Sequence, residues 1–326
     1  MKAMLLAAGF GTRLFPLTLD RPKPALPVLG KPLVTYSVEY LKSFGINDFV
    51  VNLHYKGDRI EAALGDGSRF GCRVEYSRED ESGILGTSGA LDHAKHLLDG
   101  GPFIVMNAKV ITDIDLTAAI AAHRERRALA TLVLKPNPKR ERFSRVEIDA
   151  DRNILKFGSH PTPEDADEPL MFTGIQILDP EIFEYIPRGV FSHSTTDVYP
   201  KAIAEGRTVI AHVAGNDEMW REFSTLRRYL DLTAELRNDE RAVTTGENCV
   251  ISPSATVERA ILWDNVTVGD DVKLKNVIIG ENVTIPAGAT LTDTAVVRAE
   301  LVARDELADR DTSKGTTIGE NYHFPI

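Results

Sequence analysis

The sequence predicts an α/β protein: a doubly wound, mixed but mainly parallel sheet, followed by a short parallel β-helix. Three observations carry this expectation. Short apolar runs alternate with helical patterns over most of the chain, glycine-rich turns separate them, and beyond Cys249 aliphatic residues return at nearly six-residue spacing. At 326 residues the chain is long enough for a large domain and a smaller one. The composition shift divides them as 1–240 and 241–326.

In order, Met4–Ala8 reads as a buried strand, and Lys31–Phe44 as a helix with Pro32 in its first turn and Leu33, Val34, Val38 and Leu41 on one face. Phe49–His54 reads as a strand, Gly57–Leu64 as a helix, Val74–Glu79 as a strand and Ser88–Leu98 as a helix. Phe103–Val110 is strand-like, Leu116–Arg127 helical and Leu129–Leu134 strand-like. Alternation at this spacing indicates βαβ units and parallel pairing. A hairpin is expected around Asp149–Asn153, then an acidic loop over Pro161–Pro169, a strand over Phe172–Leu178 and a helix over Thr225–Asn238.

The β-helix rests on Ile251, Val257, Leu262, Val268, Leu274, Ile279, Ile285, Leu291 and Val297, with small, polar or Gly/Asn residues between them. A short apolar period suits coils in which each flat face turns one residue inward. Its two shorter intervals predict loops or slipped coils. Arg298–Ile326 is polar and ends in NYHFPI, which leaves capping, packing on a neighbour and loose order all open.

With 43% hydrophobic and 26% charged residues the composition is that of an ordinary globular protein. A net charge of −10 argues against non-specific nucleic-acid binding. The sequence shows neither an apolar run approaching the roughly 20 residues of a membrane span nor a secretory leader, so a cytoplasmic location is expected. Cys72 and Cys249 lie far apart without metal-ligand spacing, and no disulfide is expected.

The opening segment, MKAMLLAAGFGTRLFPLTLDRPKPALPVLGKP, carries the chemistry. Gly9 and Gly11 let the backbone turn and approach a ligand, and the amides of such a loop cradle phosphate oxygens. Arg13 suits bidentate phosphate contact, and Lys23 supplies a compact charge. The loop lacks the GKS or GKT ending of a P-loop and is not the GxGxxG dinucleotide fingerprint.

The string LAAGFGTRL, followed by PLT and RPKPALPVLGKP, resembles the signature of the sugar-1-phosphate nucleotidylyltransferases. The resemblance implies a Rossmann-like nucleotidyltransferase domain and a left-handed β-helix of hexapeptide repeats. It implies that Leu6, Ala7, Ala8, Gly9, Gly11, Thr12 and Arg13 hold a nucleoside triphosphate, with Lys23 at the reacting phosphates. Glu79 and the run Ile84–Ala90, with Gly86, Thr87 and Gly89, resemble the family's base-recognition element, whose glycines would let a planar base approach the backbone. Phe172–Ile175, with Thr173 and Gly174, resembles its sugar-binding strand, where the glycine would make room for the sugar ring. Asp197–Pro200 matches another family element with a structural role. Length, the LGTSG element and the tail point to the mannose-1-phosphate guanylyltransferase-like branch, with thymidylyl- and uridylyltransferases open.

Three departures qualify the resemblance. Where the family carries Asn-Gly-Asp, whose aspartate binds Mg²⁺, this chain has Asn107-Ala108-Lys109. Where a second metal aspartate follows a tryptophan, Glu222 follows Trp220. Where Glu-Lys-Pro handles sugar and phosphate, the chain has Ser159-His160-Pro161. An ammonium cannot ligate Mg²⁺. Lys109 is therefore expected to sit against the phosphates or to pair with Glu222, and Mg²⁺ dependence to weaken. The rival is a Lys109 that points to solvent while another carboxylate holds the metal.

The functional expectation is transfer of a nucleotidyl group to a sugar 1-phosphate. A catalytically impaired nucleotide-sugar-binding or regulatory paralogue is the alternative. A third reading takes Asp113-Ile-Asp115 as the DxD metal motif of a glycosyltransferase, although Asp113 could equally cap the helix that follows. The flat sides and open ends of a β-helix lead us to expect a homo-oligomer.

Overall fold

Four strands build the centre of the sheet: Lys2–Leu6 (β1), Asp48–Leu53 (β2), Arg73–Arg78 (β3) and Phe103–Asn107 (β4). They lie side by side as β3-β2-β1-β4, all parallel. Neighbours on both edges explain why β1 is apolar, with Ala3, Met4 and Leu5 fully buried. The chain adds β2 and β3 outward from one edge of β1, then returns to lay β4 on the other. That reversal puts the carboxyl ends of β1 and β4 at a topological switch point, where open α/β sheets bind ligands.

The structure is a computed structural model that describes residues 1–79, 83–158, 169–304 and 312–326. The expected acidic loop lies almost wholly outside the described residues, as do Ser159, His160 and Pro161. Beyond β4 the sheet becomes mixed. Leu170–Leu178 runs antiparallel to β4 through its second half; on that same edge its first residues pair with Arg145–Ile148, the inner strand of the expected hairpin with Ile154–Gly158, and its other edge pairs with Ala130–Pro136. Val209–Val213 joins Ala130–Pro136 in parallel.

The helices depart from expectation mainly at their ends. Leu33–Ser43 (α1) starts after Pro32 because Lys31–Pro32 is tied to Pro27–Val28 across Leu29 and Gly30, both at positive φ. Gly57–Leu64 (α2) stands as expected. Gly86–His93 (α3) and Lys95–Leu98 (α4) replace a single continuous helix. The strand expected to reach Val110 ends at Asn107, where Lys109 N donates to Asn107 O at 2.7 Å in a tight turn. Among the described residues, no helix is long and apolar enough to cross a membrane.

The β-helix is more regular than its sequence spacing suggested. Thr256–Leu262, Lys273–Ile279 and Thr290–Arg298 stack in parallel, and the corner side chains Asn248, Asn265 and Asn282 hydrogen-bond in a ladder whose members are 17 residues apart. The short intervals recur once per coil: Val257 pairs with Leu274, Leu274 with Leu291, and Leu262 with Ile279. They are therefore corners of a uniform coil, turned by Arg259, Asn276 and Asp293 at positive φ, rather than slips. Ile279 pairs with Val296, so the last inward residue of that row is Val296, while Val297 lies opposite Tyr322. The tail extends this sheet, with Asn321–Pro325 antiparallel to Thr290–Arg298 and Thr316–Ile318 folded back on it.

The boundary after residue 240 is one of sequence composition. By contacts, the compact units are Met1–Gly9 with Val34–Arg221, and Phe10–Leu33 with Glu222–Ile326. The opening loop beyond Gly9 belongs with the β-helix: Phe15 packs edge-on against Tyr322 and Phe324, and Tyr229 donates to Pro27 O.

Candidate functional site

In the first unit, the loop leaving β1 begins in the core and ends in solvent. Ala7 and Ala8 are buried and Gly9 is exposed. Ala7 N donates to Asn52 Oδ1 at 2.7 Å, anchoring the loop to the end of β2. The chain has 24 glycines, and for nearly all of them the fold itself explains the residue. Either φ lies in the left-handed region or a Cβ would meet a neighbouring atom within 4 Å. Among the described residues, Gly9 alone has neither constraint.

The glycines of the LGTSG element are constrained by the chain. A Cβ on Gly86, at φ +78°, would lie 2.4 Å from Ser192 O, and one on Gly89 would lie 2.6 Å from Val190 O. Ser88 N and Gly89 N donate to Ser192 O, Ser88 Oγ donates to Ser192 Oγ, and Ser192 N returns a bond to Leu85 O. Thr87 Oγ1 accepts from Ser194 N at 3.0 Å. Segment 190–194 thus fills the side on which the Cβ atoms of Gly86 and Gly89 would lie. Glu79 is only 7% exposed, and both its oxygens are engaged: Oε1 accepts from Asn52 Nδ2 at 2.5 Å and Oε2 from Leu85 N at 2.8 Å.

The glycine of the expected sugar-binding strand also lies against the chain. Gly174, at φ +82°, sits at an irregularity between Phe172 and Gln176, and a Cβ there would lie 2.1 Å from Asn107 Nδ2. It makes room for the Asn107 side chain, so Asn107 and Gly174 are neighbours. Thr173 is buried, with Oγ1 donating to Val133 O and its carbonyl accepting from Trp220 Nε1 at 3.0 Å. Lys109 is half-buried, two residues beyond Asn107. The DxD motif is structural: Asp113 Oδ1 accepts from Met219 N, and Asp115, not Asp113, accepts from Thr117 N at 2.8 Å at the start of helix Thr117–Glu125. The bond from Thr117 holds the Asp115 carboxyl below its ordinary pKa.

In the second unit, Gly11 at φ +63° brings the backbone against Lys23, whose Cβ would be 3.2 Å from a Cβ on Gly11. Thr12 and Arg13 are exposed, and Arg13 has no hydrogen bond or ion pair among the described residues. Lys23 differs. Its Nζ lies 2.7 Å from Glu222 Oε1, with side chains 9% and 3% exposed, and 5.0 Å from the centre of the Phe223 ring. Arg21, in the same basic element, is committed to Asp20 and Glu281 and stacks over Trp263.

Taken unit by unit, the residues present do not fit a carboxylate-held Mg²⁺. Glu222 is bonded to a buried ammonium, Lys109 stands where an aspartate is usual, and the described residues contain no group of three or more metal-ligating side chains.

Asn52, Ser192 and Phe223 were not singled out from the sequence. Asn52 had one signal, a lone amide in the otherwise apolar FVVNL of β2. The other two had none, since their roles depend on partners distant in sequence.

Known proteins match both parts of the chain. The nucleotidyl transferase family model matches residues 2–239, and a GlmU-like, C-terminal hexapeptide model matches 240–298. A UTP–glucose-1-phosphate uridylyltransferase of Synechocystis is 36% identical over 63% of this chain, a stretch spanning 56% of that enzyme. An N-acetylmuramate alpha-1-phosphate uridylyltransferase of Neisseria meningitidis is 41% identical over 58% of this chain and 80% of its own length. A mannose-1-phosphate guanylyltransferase of Mycobacterium tuberculosis is 26% identical over 89% of this chain and 82% of its own. The solved structure of HddC from Yersinia pseudotuberculosis shares the fold, with TM-score 0.60 and 24% identity over 72% of this chain and 99% of that one.

Proposed function

The chain belongs to the sugar-1-phosphate nucleotidylyltransferases of the nucleotidyl transferase family, and from that premise we propose that it joins a nucleoside triphosphate to a sugar 1-phosphate. A phosphate oxygen of the sugar 1-phosphate attacks the α-phosphorus in line. The bond from that phosphorus to the bridging oxygen breaks, and its electron pair leaves with pyrophosphate. No covalent enzyme intermediate is needed, so the protein contributes positioning and charge neutralisation.

The observation that carries this reading is Gly9, a glycine just beyond the carboxyl end of β1 that neither its backbone angle nor any neighbour among the described residues requires. Close approach of a phosphate chain to the loop amides supplies the reason. We assign Leu6, Ala7, Ala8, Gly9, Gly11, Thr12 and Arg13 to the triphosphate. Lys23 exchanges Glu222 for phosphate oxygens when the more highly charged triphosphate arrives. Asn107, Thr173, Gly174 and His160 are assigned to the sugar phosphate. Lys109 supplies charge neutralisation near Asn107. Mg²⁺ enters this scheme as the counter-ion of the triphosphate, part of the substrate.

GTP with mannose 1-phosphate heads the substrate proposal because the guanylyltransferase relative is matched over 89% of the chain. UTP with glucose 1-phosphate or N-acetylmuramate 1-phosphate comes next, from relatives of higher identity over shorter stretches. A cytoplasmic location and a homo-oligomer belong to the same proposal, checked by cell fractionation and sedimentation.

The test is pyrophosphate release from a panel of triphosphates and sugar 1-phosphates, with and without Mg²⁺. Release that requires both substrates supports the reading, and its absence with every pair contradicts it. Nucleotide binding without release, restored by Lys109→Asp, would favour the impaired paralogue.

A further inference from the structure

A buried chain of hydrogen bonds links two loops of the first unit. Ala7 N donates to Asn52 Oδ1, Asn52 Nδ2 donates to Glu79 Oε1, and Leu85 N donates to Glu79 Oε2. Asn52 is 3% exposed. Ala7 begins the loop leaving β1, and Leu85 is the residue before α3. Asn52 stands between them because β2 lies between β1 and β3: Leu6 is opposite Asn52, which in turn is opposite Ser77.

The donors fix the chemistry of both side chains. An amide can be turned end for end, but the Ala7 N–H requires an acceptor, so Asn52 must present Oδ1 to it and Nδ2 to Glu79. Glu79 then faces two donors, Nδ2 of Asn52 and the N–H of Leu85. Only a group that accepts at both ends satisfies them, which is what a carboxylate offers and a glutamine does not. Buried donors left unmatched are costly, so the arrangement selects one register for the two loops.

We propose that Asn52 and Glu79 are positioning residues, which hold the triphosphate loop at Ala7 and the loop entering α3 at Leu85 in a common register, and that Glu79 acts through this pair rather than by reading the base. The inference rests on the assignment of the Ala7–Gly9 loop to the triphosphate. It explains why a carboxylate stands at position 79 and an amide at 52, which the nucleotidyl-transfer reading alone does not.

The geometry allows the polarity of the pair to be reversed. In Glu79→Gln, Leu85 N–H or Asn52 Nδ2 loses its acceptor. In the double variant Asn52→Asp with Glu79→Gln, the carboxylate introduced on β2 accepts from Ala7 and from the glutamine amide, and the glutamine oxygen accepts from Leu85. Every group is again matched. Expected results are an increase of about tenfold in KM for the triphosphate in Glu79→Gln, with kcat and the KM for sugar 1-phosphate little changed, and recovery to within about twofold in the double variant. Base preference stays the same in all three proteins.

Hydrogen exchange supplies a readout that needs no turnover. The Leu85 amide, or the Ala7 amide if Asn52 turns to meet the glutamine, should exchange faster in Glu79→Gln and regain its protection in the double variant. A double variant no better than the single one in exchange, or a Glu79→Gln protein that changes which base is preferred, overturns the inference. If the parent protein neither turns over nor binds any nucleotide, the functional reading fails, whereas the exchange data still decide whether the pair sets the loop.

Discussion

Two glycine-bearing turns of the first unit look alike in sequence and differ in space. At the end of β1, Gly9 has an unstrained φ and no neighbour among the described residues where a Cβ would lie, whereas at the start of α3, Gly86 and Gly89 are pressed against Ser192 O and Val190 O. The basic residues of the second unit divide in the same way, with Arg13 open and Lys23 held by Glu222. A glycine in a motif marks close approach, and a lysine marks a need for positive charge. Neither says whether the partner is a ligand or the chain itself. Groups the chain already satisfies should matter first to stability, and groups it leaves open should matter first to binding.

The largest stability effect should come from Lys23→Ala. It leaves the Glu222 carboxylate buried without its cation, and removing one partner of a buried pair costs about 3–5 kcal/mol. Urea denaturation of Lys23→Ala and of Lys23→Ala with Glu222→Gln checks this: the double variant should recover stability but not nucleotide affinity. Equal stability of the two variants would mean that the pair is not what holds Lys23.

Gly86→Ala comes next. Its Cβ meets Ser192 O, and its backbone lies in the left-handed region, so roughly 2–3 kcal/mol should be lost, as seen in the thermal midpoint. A midpoint equal to the parent's would show that segment 190–194 does not fill that space.

A smaller effect is expected from His123, a buried imidazole whose Nδ1 lies 3.0 Å from Thr131 Oγ1. Burial lowers its pKa from 6.5 to about 4. The unfolded chain therefore binds the proton first, so this group's contribution is intact above pH 6.5 and declines as pH falls towards 4. His123→Gln should flatten the plot of stability against pH over that window. An unchanged slope would show that His123 does not set it.

The smallest stability effect should come from Arg13→Ala, within about 0.5 kcal/mol of the parent because the side chain is exposed. Calorimetry should nonetheless find nucleotide affinity reduced about tenfold or more, corresponding to a lost charge-assisted contact. A large loss of stability with unchanged affinity would reverse the assignment.

How much was legible follows the same division. The β-helix could be read because its signal is local and repeated, but the 17-residue coil could not. A corner turned once per coil looks like an irregular interval until three coils are stacked. The βαβ pattern could be read because each element carries its own periodicity, whereas the break at Asn107 depends on a turn that apolar spacing does not encode. The closeness at Gly86 and Gly174 was also legible. Its cause was not, because Ser192 is 104 residues from Ser88 and Asn107 sits on a different strand from Gly174. Glu79 stood out as a carboxylate in a promising loop, but Asn52, which determines how that carboxylate is used, was a single polar residue in an apolar strand.

Calorimetric binding of the turned-over nucleoside triphosphate to Gly9→Ala, with the thermal midpoint measured on the same sample, bears most directly on the account. The added methyl group meets no atom of the described residues within 4 Å, so the midpoint should stay where it is while the dissociation constant rises about tenfold. Unchanged affinity in a fully folded variant would mean that the triphosphate does not lie against this loop.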